Sequence, residues 1–230
     1  MSLVDESNDP VLLNNAGIHM ILKGRYGHAL RVLSKALSLV KQEMIQQEES
    51  SKDTIEDDDN ESPLGVFLQY PPELGYTLLS SLGVEGYTFT SPMYIPAHQQ
   101  EMQSFRDNVK LSFVILYNIA LAHHLIAIQD VNCTGKLLKA KSLYELVCSI
   151  QINEELVISP LQSMAISNNL GQIHLSLGNE DKSRCCFEQL LSTIMSFNAY
   201  EEHDSIGNLD GFIGNVLLLF FKSAPTAPAA

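Results

Sequence analysis

The sequence predicts an all-α fold, and three observations support that prediction. Apolar residues recur at helical spacing over residues 11–46 and again from about residue 101 to residue 222. Two runs, NNAGIHMILKG from Asn14 and NNLGQIHLSLG from Asn168, share the frame Asn-Asn-x-Gly with a second glycine seven residues further on. The apolar fraction of 45% is ordinary for a globular protein, so the chain can bury a core.

The predicted helices follow from this spacing and from the residues that start and stop helices. A glycine at position 24 interrupts the first periodic stretch and predicts a tight turn between two helices. Ser159 followed by Pro160 is typical of an N-cap and a first helical position. The predicted helices span residues 11–22, 26–46, 101–128, 135–151, 160–177, 180–197 and 206–222.

The chain between the second and third helices is different in character. Residues 48–61 contain eight acidic residues and one lysine, so we predict a disordered acidic linker over residues 47–62. It acts either as a solvated spacer or as a regulated tract that binds a basic partner. Residues 63–100 are predicted as an irregular insertion in which YTFT and MYI, on either side of Ser91-Pro92, form a β-hairpin. Residues 223–230 are predicted to be a flexible tail.

Composition excludes several classes of function. The net charge of −13 argues against nucleic-acid binding, which needs a basic face. Residues 109–128 approach the length of a membrane span but include Lys110, Asn118, His123 and His124, so a buried helix is the better interpretation. The four cysteines form no CxxC pair, and the acidic N-terminus does not resemble a signal peptide. An intracellular location, cytoplasmic or nuclear, is therefore expected.

Three parts of the chain resemble the tetratricopeptide repeat, a helix–turn–helix unit with small and large residues at fixed positions. In the middle unit the turn is longer by about eight residues, and in the third Ser183 replaces the usual alanine. The resemblance implies stacked antiparallel helix pairs forming an α-solenoid: one pair over residues 10–46, and two pairs with a terminal capping helix over residues 101–222. The matching residues are Gly17, Gly24, Tyr26, Ala29, Leu33 and Ala36, then Ala120, Ala140, Tyr144 and Val147, then Gly171, Gly178, Phe187 and Leu190.

The resemblance also implies a concave surface, built from the first helix of each pair, that binds a peptide or a helix of another protein. One position in it is asparagine in all three units, and a carboxamide can both donate to and accept from a peptide backbone. No lysine or arginine is among these residues, so a C-terminal carboxylate is not the expected ligand. The surface residues are Asn15, Ile18, Ile21, Leu22, Asn118, Leu121, His124, Leu125, Asn169, Gln172 and Leu175.

The expected function is a non-catalytic protein-interaction module or assembly subunit, with no cofactor, no nucleic acid and no membrane insertion. No phosphate-binding loop, HExxH, GxSxG or paired-carboxylate motif occurs in the sequence. A helical domain that binds a small molecule or a metal through His123, His124 and His174 is the alternative, although histidines at these positions are more often packed in a core. Self-association of the chain is a third hypothesis.

Overall fold

The structure is a computed structural model that describes residues 7–50, 77–78, 86–95, 104–130, 132–198 and 209–222. Its described part is mostly helical, which confirms the all-α prediction. Residues 51–62 of the predicted linker, residues 63–76, 79–85 and 96–100 of the predicted insertion, and the predicted tail lie outside the described residues. The helices are α1 (Pro10–Leu22), α2 (Tyr26–Ser50), α3 (Phe105–Gln129), α4 (Thr134–Asn153), α5 (Pro160–Ser176), α6 (Glu180–Asn198) and α7 (Asp210–Lys222).

Side-chain caps fix where several helices begin. The Asp9 carboxylate accepts hydrogen bonds from two backbone N–H groups in the first turn of α1. Ser104 forms a reciprocal capping box with Asp107 at the start of α3. The predicted Ser159 cap is confirmed: its hydroxyl accepts from the N–H of Gln162, and Pro160 occupies the first helical position of α5.

The predicted acidic linker begins too early, because α2 continues to Ser50. Its last turns are rich in Gln, Glu and Lys, which lose little side-chain freedom in a helix. They also pack on α3: the Asn108 amide donates to Gln47 Oε1 at 3.2 Å, and the Ser112 hydroxyl lies 3.9 Å from Met44 Sδ. Helical propensity and contact with α3 therefore carry the helix past residue 46.

Consecutive helices pack on one another along the chain, and the first helix pair contacts the second through α2 and α3. Two glycines allow close approach within pairs. A Cβ at Gly17 would lie 2.6 Å from Leu33 Cγ, and a Cβ at Gly171 would lie 2.6 Å from Phe187 Cε1. In both cases the large residue follows its glycine by sixteen positions, so the shared sequence frame produces the same helix contact twice.

The turns between these paired helices are equivalent as well. Gly24 and Gly178 have φ values of +70° and +73°, the left-handed region in which glycine carries no steric penalty. Their N–H groups donate to the carbonyls of Ile21 and Leu175 at 2.9 and 3.0 Å. The duplicated glycines of the sequence thus serve packing and turn geometry.

The long apolar helix α3 lies inside the protein. By length and composition it could cross a membrane, but 83% of its most apolar eighteen-residue window is buried by the rest of the chain. It packs between α2 and α4. The prediction of a buried helix over residues 109–128 therefore holds within this structure.

The predicted β-hairpin around Ser91-Pro92 is wrong. YTFT does contain a strand, β2 (Tyr87–Thr88), but its antiparallel partner is β1 (Thr77–Leu78). MYI is not paired with it, because side chains of α5 and α3 hydrogen-bond the backbone of Phe89 and Met93 instead. Residues 86–95, hereafter the bound segment, run across α7, α5, α3 and α1.

Candidate functional site

Asparagine side chains hold the bound segment, and each one makes two hydrogen bonds to the backbone of a single segment residue, which we call a gripped residue. Asn118 of α3 accepts from the N–H of Met93 and donates to the C=O of Met93, both at 2.8 Å. Asn169 of α5 does the same to Phe89, with both distances 2.9 Å. Each carboxamide thus bonds both the N–H and the C=O of one residue.

The same arrangement occurs at both ends of the bound segment. Asn15 of α1 accepts from the N–H of Ile95 at 3.2 Å and donates to its C=O at 2.7 Å. Asn215 of α7 accepts from the N–H of Tyr87 at 2.8 Å and donates to its C=O at 2.6 Å. We call these four residues, Asn15, Asn118, Asn169 and Asn215, the asparagine ladder.

Two further asparagines, Asn14 and Asn168, hydrogen-bond to residues of the ladder. Asn14, next to Asn15, accepts from the Asn118 amide at 2.9 Å. Asn168, next to Asn169, accepts from the Asn215 amide at 2.6 Å and donates to the C=O of Tyr87 at 3.0 Å. The first asparagine of each Asn-Asn pair therefore links its helix to the ladder residue of the neighbouring odd-numbered helix.

The ladder binds residues of the segment at a fixed spacing. The gripped residues are 87 and 89, then 93 and 95, so the spacing of two within each half matches an extended chain. A step of four residues separates the halves and contains Pro92, which has no N–H to donate. The Tyr117 hydroxyl donates to the C=O of Ser91 at 3.3 Å across this step.

Apolar contacts accompany the backbone bonds. Phe89, Met93 and Ile95 are buried and belong to the main hydrophobic core. Phe212 of α7 stacks on the Phe89 ring at 5.5 Å and meets the Tyr87 ring edge-on at 5.3 Å. Gly211 makes room for the Tyr87 ring, since a Cβ there would lie 2.5 Å from its Cγ.

The site is polar but uncharged. Among the described residues, every buried polar side chain is an amide, a hydroxyl or an imidazole, and none is Lys, Arg, Asp or Glu. Asn169 also donates to the Tyr144 hydroxyl at 3.1 Å. Burial raises the pKa of Tyr144, so this phenol stays neutral. A charged side chain entering the site would find no described opposite charge.

The side chain of Gln172, close to the ladder residue Asn169, receives no hydrogen bond from the described part of the bound segment. Gln172, one turn beyond Asn169, is 1% exposed, and its amide lies so close to Gly86 that a Cβ on that glycine would overlap it. Among the described residues neither polar atom of the Gln172 amide has a hydrogen-bond partner, and the same holds for the buried Thr88 hydroxyl. These are local defects in the fit between the segment and the site.

The structure brings the three asparagines and the glutamine predicted from sequence to the bound segment, and it buries or partly buries the other predicted residues. Ile18, Ile21, Leu121 and Leu125 are buried, whereas Leu22 and Leu175 are partly buried. His124 is turned towards α4, where its ring meets the Tyr144 ring edge-on at 6.2 Å.

The three histidines of the metal-binding hypothesis are held as neutral groups. Burial lowers the pKa of His123 and of His124 to about 4, with Lys136 and Lys139 adding to the effect at His123. Burial also lowers the pKa of His174, whose Nε2 lies 3.9 Å from Glu145 Oε1. In the described ranges no three or more His, Cys, Asp or Glu residues are grouped as metal ligands.

Sequence reasoning missed Asn215 and the bound segment itself. Asn215 lies in an apolar helix without the Asn-Asn-x-Gly frame. The sequence marks it only as a polar residue surrounded by Val, Leu and Phe. The bound segment has one signal in the sequence, which is the placing of bulky residues at 87, 89, 93 and 95 with proline at an ungripped position.

Comparison with protein-family models, curated proteins and solved structures finds no match for this chain. A function for the protein therefore has to be inferred from the geometry of the asparagine ladder and the segment that it holds.

Proposed function

We propose that this chain is a non-catalytic protein-interaction module of tetratricopeptide-like helix pairs, and that the asparagine ladder is its peptide-binding site. The observation that carries the proposal is the double hydrogen bond from each of four asparagines to one residue of an extended segment. The ligand in this proposal is an extended stretch of another protein.

The repeat-like architecture is supported by equivalent contacts in separate helix pairs. The close approaches of Gly17 to Leu33 and of Gly171 to Phe187 occur at the same spacing, and the left-handed turn glycines follow each at seven residues. The small positions Ala29 and Ala36 are fully buried, as close helix packing requires. A stacked solenoid of such pairs would place α1, α3, α5 and α7 on one face.

The hydrogen bonds favour an extended peptide over a helix as ligand. In a helix the central N–H and C=O groups are already bonded to one another and cannot engage a carboxamide. In an extended chain they remain available, and alternate residues face the same side. Backbone bonds then supply affinity, while pockets such as that between Gly211 and Phe212 supply selectivity.

The proposal is tested by making the bound segment a separate peptide. Protease sites are placed within residues 53–60 and 97–102, the protein is folded, and it is then cleaved at both sites. We expect the excised fragment to remain associated and to exchange with a fluorescent synthetic peptide of residues 86–95. Fluorescence anisotropy measures the exchange, and circular dichroism follows the helices.

A matched pair of peptides checks that the ladder is responsible for binding. N-methylation at Phe89 and Met93 removes two gripped N–H groups, whereas N-methylation at Thr90 and Tyr94 alters positions that the ladder does not bond. We expect the first peptide to lose at least roughly a hundredfold in affinity and the second to lose much less. A fragment that never exchanges, or helices that unfold on its release, would identify the segment as a permanent core strand and refute the proposal.

A further inference from the structure

We infer that the bound segment is an imperfect internal competitor of the partner, which is an extended, uncharged peptide that displaces it from the ladder. This inference rests on the proposed function and adds the ligand class and its regulation. The partner has bulky apolar residues at the positions of 87, 89, 93 and 95 and an apolar β-branched residue in place of Thr88.

The defects in the present fit show what a better ligand would change. The Thr88 hydroxyl is fully buried without a described partner, and an unpaired buried hydroxyl costs free energy. Valine has nearly the same shape without the hydroxyl, so it fills the site at no such cost. The unpartnered Gln172 amide is a second cost of the present fit, and it lies so close to Gly86 that a ligand keeps glycine at that position.

The register and the charge of the site restrict the ligand further. Residues at the four gripped positions each supply an N–H to the ladder, so proline is excluded there, whereas it is accepted at the position of Pro92. Because the buried surroundings contain no described Lys, Arg, Asp or Glu, a charge at an inward position would be desolvated without compensation. An acidic or basic linear motif therefore does not fit.

Covalent attachment gives the internal segment its advantage. It is joined to α2 by the 35 residues 51–85 and to α3 through the eight residues 96–103. A segment tethered at this scale competes at an effective concentration on the order of millimolar. The apparent dissociation constant for a partner equals its intrinsic dissociation constant divided by the fraction of chains whose site is open. Weakening the internal segment alone should therefore tighten binding of a partner.

The experiment uses the intact chain and a labelled peptide of residues 86–95 carrying Thr88→Val. Substitutions in the internal segment, Phe89→Asp and the milder Phe89→Ala, leave the ladder residues unchanged. Tyr94→Ala, at a partly exposed residue that the ladder does not bond, is the control. We expect each Phe89 variant to bind the peptide at least about tenfold more tightly than wild type or the control. Circular dichroism confirms that each variant is folded.

The valine position is tested separately with the excised protein. There the Thr88→Val peptide should bind at least roughly fivefold more tightly than the native-sequence peptide. Equal binding of the labelled peptide to wild type and to a folded Phe89 variant would overturn the competition, even where the excised protein binds peptide and the proposed function stands. A dimer in light scattering that exchanges its segments between two copies would overturn it as well.

Discussion

The Asn118 carboxamide bonds both the N–H and the C=O of Met93, each at 2.8 Å, while both residues are fully buried. A buried backbone pair that loses these bonds stays desolvated with nothing to compensate it. The ladder asparagines therefore stabilise the fold as well as forming the candidate binding site. A ladder left empty would be costly, which accounts for the presence of an internal occupant.

Asn118→Ala should be among the most destabilising substitutions in the chain. It leaves the N–H of Met93 and the Asn14 amide oxygen without these partners, and it leaves the C=O of Met93 with only the 3.5 Å bond from the Asn14 amide. We therefore expect a loss of about 4 kcal/mol in the free energy of unfolding. Urea denaturation measures the loss. Asn153→Ala removes an exposed amide that bonds only Ser149 and should change stability by less than about 0.5 kcal/mol.

Asn215→Ala should open one end of the bound segment. It removes both bonds to Tyr87 and the brace to Asn168, whereas Asn15 continues to hold Ile95. We expect chymotrypsin to cleave after Tyr87 and Phe89 roughly tenfold faster or more, because local opening becomes less costly. Ile213→Ala, on the same helix but 41% exposed, is the control, and mass spectrometry locates the cuts. Unchanged cleavage would mean that α7 does not hold the segment.

Two glycine substitutions should act in opposite directions. Gly171→Ala places a methyl group 2.6 Å from the buried Phe187 ring and should cost about 1–3 kcal/mol, a fall in Tm of roughly 2–10 °C. Gly214→Ala meets nothing within 4 Å and should stabilise α7 by about 0.5–1 kcal/mol. Differential scanning calorimetry compares them. The same sign for both would contradict the close packing of α5 on α6.

Stability should fall between pH 7.5 and pH 5 through His124. Its pKa is lowered to about 4 in the folded chain, while the unfolded chain protonates near 6.5, so the unfolded state takes up more protons over this range. The contribution of neutral His124 to the free energy of unfolding is complete above pH 6.5 and is lost as the pH falls towards 4. At pH 5 the free energy of unfolding is lower by about 2 kcal/mol. His124→Phe keeps a ring against Tyr144 without a titrating group. Urea midpoints for this variant should depend less on pH than those of wild type.

Local rules predicted the helical framework well. Periodicity, the Ser159 cap and the glycines at 24 and 178 depend on residues close together in sequence, and the structure places helix ends within a few residues of the predictions. The resemblance to the tetratricopeptide repeat also placed Asn15, Asn118 and Asn169 at one position of the three units. These inferences succeed because each needs only the geometry of one helix or one turn.

The occupant of that face could not be predicted in this way. Alternation in YTFT is the same whether a strand pairs with another strand or with side-chain amides, so the hairpin was the expected outcome. Here Asn169 takes the place of a neighbouring strand for Phe89. Asn215 was missed for a related reason: its role depends on a residue 128 positions away, and no local pattern marks it.

The order of the ladder has a consequence for how the chain is made. The segment runs from α7 back to α1. Tyr87 is the gripped residue that is synthesised first, and its partner Asn215 lies in the last helix that the structure describes. At ribosomal rates of about 5–20 residues per second, the 128 positions from Tyr87 to Asn215 take on the order of 6–25 s. Throughout this interval Tyr87 and Phe89 lack the contacts that Asn215 and Phe212 make with them in the folded protein. Among the four ladder residues, Asn215 is therefore the last to become available to the segment.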